Sequence, residues 1–455
     1  MKKYFTILAM LTVGMSAMAQ DDAEPLETIY QKFSFTLFDK VVEKEDESVI
    51  LSPLSAQIAL SMVQNGAAGN TLSEIQQAMG TYAYTNEQVT DYNRLLTERL
   101  TYRPPFCYTP SPDQSEEKAR EEYEATYPIC EMANGIWTAP RFHILESYKE
   151  QMRTCYDAEV GEVDFATQEG IDSINSWVKK KTHQLIPSIL NNPDSDLLTL
   201  LANALYFKGS WTSPFDTSLT QTGLFHLADG STTEVDMMTA ESIYTHTTSS
   251  DKFSTVTLPY GNKNFSMTIF LPTEEKDMPP LTYEDWLAAT DSNAPMKEMM
   301  LTMPKFEIEG TYNLVDIFKS LGMEEAFSAS ADFRHMTDFG LSIGDIFQSG
   351  KIIVDEKGTE ATAVTVVMMF TSIPSETFVI NRPFYFTLEE QSTHTILFVG
   401  RMLEIGKPSH SPDCIDSIQS TPDSKHQLYD LSGRALRQVP QKGIYIQDGK
   451  KIVIN

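Results

Sequence analysis

The sequence predicts an α+β fold, and three observations support this class. The first third of the chain carries apolar residues at helical spacing, whereas the last third is rich in short strand-like segments. Helices that precede strands, with both kinds mixed throughout, are typical of an α+β domain. The 455 residues are 41% hydrophobic and 22% charged, so the chain can form a large core.

Helices are predicted where apolar residues recur every three or four positions. Proline suits the first turn of a helix, so Ser52 and Pro53 indicate the start of one helix. Thr71 and Glu74 have the spacing of a capping box, which predicts that another helix starts at Thr71. The predicted helices comprise residues 26–42, 54–65, 71–79, 170–189 and 314–321.

Strands are predicted where β-branched and aromatic residues form short runs between turns. The continuous apolar run 197–207 could be a helix or a strand, and the turn-like residues 208–211 after it favour a strand. Residues 225–271 have the pattern of several strands and turns. The other predicted strands are residues 301–308, 351–354, 378–380, 384–388 and 396–401.

Residues 103–128 contain several prolines and a charge run, which predicts an exposed insertion. Cys107 and Cys130 bracket a polar, proline-rich part of this segment. These two residues could form a disulfide, and unpaired thiols are the alternative. The chain contains no CxxC pair.

The N-terminus has the pattern of a signal peptide in residues 1–19. Two lysines are followed by an apolar run in residues 5–13 and by the small-residue pattern Ala17-Met18-Ala19 before Gln20. The apolar run is far shorter than the roughly 20 residues that a membrane-spanning helix needs. We therefore expect an exported chain with no membrane span.

The net charge of −28 argues against nucleic acid or an anionic membrane surface as a partner. Lys179, Lys180 and Lys181 are most simply the solvated face of the helix predicted at 170–189, and a polyanion site is the alternative. The motifs GxSxG and HExxH are absent, and the eight histidines lack ligand spacing, so we expect no metal site and no cofactor. Residues 344–351 differ from a phosphate-binding loop in glycine spacing, and Ile352 follows where Ser or Thr is required.

The stretch 354–372, VDEKGTEATAVTVVMMFTS, is the most informative part of the chain. After a charged turn it contains fourteen residues with no Gly, no Pro and one charge, Glu360. This composition is that of a strand, although a loop would be rich in turn residues. Its alternate positions are small or apolar throughout: Thr359, Ala361, Ala363, Thr365, Val367 and Met369. By composition alone, a permanent sheet strand is the simplest interpretation.

Several segments together resemble the serpin family of protease inhibitors. The resemblance runs in family order from about residue 26 to 402, and it implies the serpin fold for residues 20–403. That fold has helices packed around a large central β-sheet, two smaller sheets and an exposed reactive loop, here residues 358–380. The matching segments are residues 52–55 (SPLS) with Ala59 and Leu60, residues 203–211 (NALYFKGSW) with Pro214 and Phe215, residues 355–363, residues 382–384 (RPF) and residues 398–401 (FVGR).

The resemblance implies roles for three groups of residues. The shutter and breach of the central sheet would be formed by Ser52, Pro53, Ser55, Asn203, Trp211 and Gln348. The hinge of the reactive loop would be Glu356, Lys357, Gly358, Thr359, Glu360, Ala361, Thr362 and Ala363. Counting fourteen residues past Gly358 and eleven back from Pro383 both place the reactive bond between Ser372 and Ile373, with loop subsites at Met369, Phe370, Thr371 and Pro374.

The resemblance also implies the activity of a suicide substrate rather than of an enzyme. A serine protease would form an acyl-enzyme at Ser372, and the cleaved loop would insert into the central sheet and distort the attached protease. The small residue Ser372 suits elastase-like or subtilisin-like pockets, whereas slippage to Phe370 or Met369 would suit chymotrypsin-like enzymes. Nothing basic lies near the bond, so trypsin-like targets are disfavoured. Papain-like cysteine proteases are further candidate partners, and we expect the inhibitor to be a monomer.

Two features depart from the family pattern, and two residues of the loop are bulkier than the ideal. Gln348 stands where many members carry a shutter histidine, and its amide could still form a buried polar cluster with Ser55 and Asn203. The insertion at 103–128 is longer than the usual connection. Val364 and Val366 are bulkier than the ideal loop residues, so a non-inhibitory binding or carrier protein on the same fold is the alternative function.

A linker and a small β-type unit are predicted after the serpin-like part. Residues 404–427 are polar with several Pro and Ser, as in a linker. Residues 428–455 resemble C-terminal sorting domains of the type IX secretion system of some Gram-negative bacteria, through the segments 429–434 (YDLSGR) and 442–445 (KGIY). A β extension without a sorting role is the alternative. We expect an extracellular or cell-surface location, with the periplasm as an intermediate.

Overall fold

The computed structural model describes residues 23–104, 114–274, 278–290, 294–359 and 376–406, and three strands between 428 and 454. The chain divides into two compact units, Met1–Ser411 and Pro412–Asn455. Within the described ranges, no helix is long and apolar enough to cross a membrane. The predicted signal peptide 1–19, the linker from residue 407 onward and the loop residues 360–375 lie outside the described residues.

The apolar spacing predicts most of the helices of the first unit. Pro53 occupies the first turn of α2, and the backbone N–H of Ser55 donates to the Ser52 side chain, which caps the helix. The helices are α1 (Leu26–Val42), α2 (Pro53–Gly66), α3 (Gly69–Met79), α4 (Asn86–Thr101), α5 (Glu116–Thr126), α6 (Glu146–Tyr156), α7 (Gln168–Lys181), α8 (Tyr283–Ala289) and α9 (Val315–Ser320). The insertion 103–128 contains α5, in which Ala119 alone is buried.

The predicted capping box at Thr71 and Glu74 is wrong, because α3 begins two residues earlier, at Gly69. The Thr71 hydroxyl donates to Glu325 at 3.0 Å, and the Glu74 carboxylate accepts the backbone N–H of Glu324 at 2.9 Å. Both side chains therefore bind a distant segment of the chain. Local spacing could not reveal these long-range contacts.

Two other predicted boundaries are also wrong. The helix predicted to reach residue 189 ends at Lys181, because His183 and Gln184 adopt left-handed backbone angles with φ of 50° and 74°. The single strand predicted at 301–308 is two strands separated at Lys305, where the chain passes from one sheet to another.

Two sheets form the body of the first unit. The central sheet has the order β10-β11-β12-β4-β2-β3, and β11 also pairs with β4 directly. Its strands are β2 (Ile129–Thr138), β3 (Ala158–Glu162), β4 (Thr199–Ser210), β10 (Phe306–Asn313), β11 (Asp345–Val354) and β12 (Gly358–Thr359). The ambiguous run 197–207 is thus a strand.

The second sheet has the order β1-β15-β14-β8-β7-β6-β9-β13, with β5 paired to β6. Its long strand β6 pairs with β5 and β9 in its first part and with β7 at its end, so two smaller sheets share one strand. The strands are β1 (Val49–Leu51), β5 (Gln221–His226), β6 (Thr232–Ser249), β7 (Phe253–Tyr260), β8 (Phe265–Pro272), β9 (Met296–Pro304), β13 (Thr377–Val379), β14 (Phe384–Glu390) and β15 (Thr395–Met402). This architecture confirms the predicted fold class.

The central sheet is buried on both faces. One face packs with α1, α2 and the second sheet in the main core, which includes Leu201, Phe207 and Ile352. The other face forms a separate cluster with α7, which includes Ala202, Ala204 and Trp177. The second unit is an antiparallel three-stranded sheet of β16 (Leu428–Tyr429), β17 (Gly443–Gln447) and β18 (Lys450–Ile454).

Candidate functional site

The short strand β12 lies between β4 and β11 at one end of the central sheet. Thr359 pairs with Val354 of β11 on one side and with Gly209 of β4 on the other. Farther along, β11 and β4 pair with each other directly, from Asp345 to Ser349 on β11. The hinge therefore already occupies a position between two strands that are neighbours in the rest of the sheet.

A tight turn leads into β12. The Asp355 carboxylate accepts the backbone N–H groups of Lys357 at 2.8 Å and Gly358 at 3.2 Å. Gly358 has φ of 150°, and a Cβ there would lie 2.1 Å from the Gly209 carbonyl oxygen. Only glycine fits this close approach of two strands, so the structure explains the residue at the hinge.

Trp211 holds this turn against the end of β4. Its backbone N–H donates to the Lys357 carbonyl at 2.8 Å, and its indole Nε1–H donates to the Asp355 carbonyl at 3.0 Å. The ring stacks on Tyr260 with centroids 4.3 Å apart. The structure thus brings the predicted breach tryptophan into direct contact with the predicted hinge.

Glu356 anchors the same turn to the second sheet. Its carboxylate accepts the Thr220 hydroxyl at 2.7 Å and lies 3.2 Å from the Lys305 ammonium. Burial raises the pKa of this carboxyl, but the hydrogen bonds and the Lys305 charge lower it by more, so the net pKa is below its usual value. The hinge carboxylate is therefore charged and paired at neutral pH.

The insertion helix α5 contacts the site from outside. The backbone N–H of Asn262 donates to the Thr126 carbonyl at 2.8 Å. Gly261 has φ of 43°, and a Cβ there would lie 2.5 Å from the same carbonyl oxygen. A cavity of about 300 Å³ separates α5 from the hinge, and Glu122, Trp211 and Lys357 are among its lining residues. Helix α5 of the insertion therefore lies beside the end of the central sheet where β12 is located.

A row of polar side chains crosses the middle of the central sheet. Asn134, Asn203, Gln348 and Tyr312 are lateral neighbours on β2, β4, β11 and β10. The Asn203 amide donates to Asn134, whose own amide donates to the Tyr156 carbonyl. The Tyr312 hydroxyl accepts the Ile50 backbone N–H at 3.3 Å. We call these four residues the polar row.

The predicted cluster of Ser55, Asn203 and Gln348 is buried but lacks mutual hydrogen bonds. Ser55 is 0% exposed, Asn203 4% and Gln348 1%. Among the described residues, Ser55 Oγ, Asn203 Oδ1 and both amide atoms of Gln348 have no hydrogen-bond partner. Buried polar atoms without partners are costly, so the row is incomplete as it stands.

Sequence reasoning missed three residues that shape this site: Asn134, Tyr260 and Tyr312. Tyr260 is fully buried, and its hydroxyl lies 2.6 Å from that of Thr359. Asn134 and Tyr312 lie in strands in which polar and apolar residues alternate, so nothing in the sequence distinguishes them from ordinary strand residues. Their register against Asn203 and Gln348 is the signal that identifies them, and it exists only in the folded sheet.

Other predicted residues lie apart from the site or outside the described ranges. Cys130 is buried in β2, and burial raises the pKa of its thiol to about 12. Cys107 lies outside the described residues, so the Cys107–Cys130 disulfide stays a prediction. The reactive bond, its subsites and the hinge residues from Glu360 to Ala363 also lie outside them. Within the described part of the chain, no group of three or more His, Cys, Asp or Glu could hold a metal ion.

The fold and the hinge define a protein in which Gly358 and Thr359 lie in a central sheet between two strands that pair with each other farther along. The family model described as serpin (serine protease inhibitor) matches residues 28–405. The chain therefore belongs to the serpin family, as its resemblance predicts. The expectation of an inhibitor class rather than an enzyme is confirmed at the level of the family.

Known proteins and structures agree with this assignment. Intracellular coagulation inhibitor 2 of Tachypleus tridentatus is 32% identical over 398 residues, which cover 84% of this chain and 91% of that protein. The native structure of the thermophilic serpin tengpin has a TM-score of 0.73 at 26% identity, covering 85% of this chain and 96% of tengpin. Human thyroxine-binding globulin, complexed with thyroxine, shares the fold with a TM-score of 0.73 at 24% identity, covering 84% of this chain and 99% of that one.

Proposed function

We propose that this chain is an exported suicide-substrate inhibitor of serine proteases with elastase-like, subtilisin-like or chymotrypsin-like specificity. The reactive bond is Ser372–Ile373. The protease serine attacks the Ser372 carbonyl carbon, the bond to the Ile373 nitrogen breaks, and Ile373 leaves as a protonated amino terminus. Insertion of the residues after Gly358 then traps the acyl-enzyme. Papain-like cysteine proteases, which form a thioester by the same attack, are secondary targets.

The observation that carries this proposal is the register of β12. Thr359 pairs with Val354 and Gly209, and farther along the sheet Gln348 pairs with Asn203. Continuing the antiparallel register would place loop residues 364–368 between residues that already pair with each other across β4 and β11. Insertion thus requires the two strands to separate by one strand width without sliding. Each new ladder hydrogen bond contributes about 1 kcal/mol net.

This register also assigns space to the bulky loop residues. Val364 would lie between Ala204 and Ser349, and Val366 between Ala202 and Phe347. These positions face the cluster that contains α7, and on that face the alternate residues Ala202 and Ala204 of β4 are both small. Small neighbours on β4 leave room for valine, so the two residues that depart from the small-residue pattern are compatible with insertion.

If the same register continues, Thr365 would lie in the polar row. Its hydroxyl would lie between Asn203 and Gln348, whose side chains carry the buried atoms without partners. A hydroxyl can both donate and accept, so it can bind Asn203 Oδ1 and the Gln348 amide. Insertion would therefore satisfy polar groups that the uninserted sheet leaves unpaired, which favours the inserted state.

Mixing the chain with elastase, subtilisin, chymotrypsin and trypsin, followed by a denaturing gel, tests the proposal. We expect a covalent complex with at least one of the first three enzymes and the weakest reaction with trypsin. Cleavage by all of them without any complex would contradict inhibition and favour the carrier function. Mass spectrometry of the released fragment should find Ile373 at its N-terminus, and another start would refute the register of the bond.

The melting temperature gives an independent test of insertion. The chain cleaved at Ser372–Ile373 should melt far above the intact chain, because the new central strand adds hydrogen bonds and buried area. Equal melting temperatures would show that the cleaved loop stays outside the sheet.

Export and sorting form a separate part of the proposal. Residues 1–19 direct export, and residues 428–455 act as a sorting unit that takes the chain to the cell surface or beyond. The support is the sequence pattern at both ends together with the small three-stranded sheet of the second unit. Deleting residues 428–455 in an expressing bacterium should leave the inhibitor in the periplasm, whereas unchanged release would contradict a sorting role.

A further inference from the structure

The cavity between the insertion helix α5 and the hinge has the size of a small-molecule site. Its volume is about 300 Å³, which is room for about ten water molecules at about 30 Å³ each. We call it the α5 cavity, and its principal lining residues are Glu122, Ser210, Trp211, Thr212, Pro214 and Lys357. One wall is α5, and the other is formed by the end of β4 and the turn that leads into β12.

Two contacts hold α5 in place as the outer wall of the α5 cavity. The backbone N–H of Asn262 donates to the carbonyl of Thr126, the last residue of the helix, at 2.8 Å. The Arg103 guanidinium lies 5.0 Å from the centre of the Tyr123 ring. The insertion therefore forms this cavity by its own packing, and pockets that exist before a ligand arrives are common binding sites.

Two side chains of opposite charge line the two walls. Glu122 is exposed on α5, and its carboxylate accepts a hydrogen bond from the Gln114 side chain at 2.9 Å. Lys357 is half-buried in the hinge turn. Among the residues that the structure describes, neither charge forms an ion pair, and the Lys357 ammonium forms no hydrogen bond. The cavity thus offers one carboxylate and one ammonium that do not neutralise each other.

Apolar surface and hydroxyl groups lie between the two charges. Trp211 and Pro214 supply the apolar surface, and Ser210 and Thr212 supply the hydroxyls. The Thr212 hydroxyl already donates to the Gly261 carbonyl at 2.9 Å, so its oxygen remains able to accept a hydrogen bond from a ligand.

The two opposite charges indicate which kind of ligand fits. An anion alone would be repelled by Glu122, and a cation alone would be repelled by Lys357. A molecule that carries both charges can pair with both side chains. An α-amino acid has an ammonium and a carboxylate at neutral pH, and an apolar or aromatic side chain can lie against Trp211 and Pro214.

We propose that the α5 cavity binds a free α-amino acid with an apolar or aromatic side chain. The carboxylate of the ligand pairs with Lys357, its ammonium pairs with Glu122, and its side chain packs on Trp211. Because the ligand bridges α5 and the hinge turn, it stabilises the intact chain. The site depends on the insertion and not on the reactive loop, so the proposal stands or falls independently of protease inhibition.

Titration calorimetry of the full chain tests the ligand class. The probes are L-phenylalanine, L-leucine, N-acetyl-L-phenylalanine, which lacks the ammonium, and L-phenylalaninamide, which lacks the carboxylate. We expect L-phenylalanine or L-leucine to bind and to raise the melting temperature of the intact chain. Each phenylalanine derivative should bind at least about tenfold more weakly than L-phenylalanine. Absence of saturable binding by both amino acids, or equal affinities for L-phenylalanine and either derivative, would overturn the proposal.

Two substitutions assign the charges. Lys357→Met should lower the affinity for L-phenylalanine to that for its amide, and Glu122→Gln should lower it to that for the N-acetyl derivative. The matched controls are Lys180→Met and Glu117→Gln, at exposed positions of α7 and α5 that do not line the cavity. Both should bind L-phenylalanine as the unchanged chain does.

The four variants give a clear decision. Unchanged binding by Lys357→Met and Glu122→Gln, or equal losses in these variants and their controls, would place the ligand elsewhere and refute the site. If thermal melting shows that Lys357→Met does not fold, Lys357→Gln replaces it with the same expected loss. The comparison of L-phenylalanine with its two derivatives needs no variant and decides the ligand class in any case.

Discussion

The hydroxyl groups of Tyr260 and Thr359 lie 2.6 Å apart at the end of the central sheet where β12 lies between β4 and β11. Tyr260 ends β7 of the second sheet, and Thr359 is the last described residue at the start of the reactive loop. Thr359 is 2% exposed, so this hydrogen bond forms away from solvent. The bond joins the hinge to the body of the protein and keeps β12 between β4 and β11.

Tyr260→Phe should loosen the hinge without emptying the core. The substitution keeps the ring that stacks on Trp211 and removes only the hydroxyl partner of Thr359. We expect the intact chain to lose about 1–2 kcal/mol of unfolding free energy, measured by urea denaturation. Tyr244→Phe is the control, since Tyr244 is 66% exposed and should lose almost nothing. Equal losses in the two variants would show that the buried bond has no special role.

Thr359→Arg should turn the proposed inhibitor into a substrate. Thr359 already lies between β4 and β11 against Tyr260, and a guanidinium there would be buried without a charge partner. The hinge would then leave the sheet, and insertion of the loop would stall at its first residues. We expect cleavage at the reactive bond with little or no covalent complex on a denaturing gel. Thr359→Ser keeps the hydroxyl and should keep the complex. Retained trapping by Thr359→Arg would mean that Thr359 is not part of the inserting strand.

Thr365→Val should weaken the cleaved form and spare the intact one. If the register of β12 continues after cleavage, Thr365 would lie between Asn203 and Gln348, and its hydroxyl would bind their unpaired buried atoms. We expect the unfolding free energy of the cleaved chain to fall by about 1–3 kcal/mol, measured as a lower melting temperature. The melting temperature of the intact chain should not change. Thr362→Val is the matched control, because the same register places Thr362 on the opposite face, beside Tyr206 and Lys351. Similar effects of the two variants would refute the register.

Stability should fall as pH rises through the range where Glu389 ionises. Glu389 is 1% exposed, and burial raises its pKa from the usual 4.5 to about 7, against the lowering effect of hydrogen bonds from Trp286 and Gln391. The folded state therefore holds this proton more tightly than the unfolded state. Protonated Glu389 thus stabilises the folded state fully below pH 4.5. This stabilisation is lost progressively as pH rises to about 7, and the unfolding free energy falls by about 3 kcal/mol in total.

Glu389→Gln removes this titration and keeps an oxygen that can accept the Trp286 N–H. Its melting temperature should depend less on pH between 4.5 and 8 than that of the unchanged chain. Glu284→Gln, at an exposed position on α8, should leave the pH profile as it is. A profile that is identical in all three proteins would contradict the assignment of the transition to Glu389.

Much of the fold follows from the sequence because local patterns decide it. The apolar spacing in α1 predicts Leu26–Val42 with its observed bounds, and the Ser52-Pro53 pair predicts the start of α2. The errors occur where a distant partner competes with a local pattern. Thr71 and Glu74 bind the segment around Glu325 instead of capping α3, and Lys305 divides one predicted strand between two sheets.

The candidate site shows the same division at the level of single residues. The composition of residues 359–372 predicts a strand, because it is rich in strand-forming residues and contains no proline. A loop that inserts into a central sheet needs this composition. Gly358 and Trp211 follow from the resemblance to the family. Tyr260 does not, because nothing in its neighbourhood along the chain indicates that its hydroxyl meets a threonine 99 positions away.

The sequence by itself determined the fold class, the positions of most helices and strands, and the strand-like character of the reactive loop. These properties depend on spacing and composition within short segments. Only the tertiary structure decided where the start of that loop, Gly358 and Thr359, lies in the sheet. The pairs Thr359–Gly209, Thr359–Val354 and Gln348–Asn203 define one register, which relates β11 and β12, consecutive in the chain, to β4, which lies far from them in the chain. Long-range pairing of this kind depends on how the strands align when both faces of the sheet are packed, which no local pattern encodes.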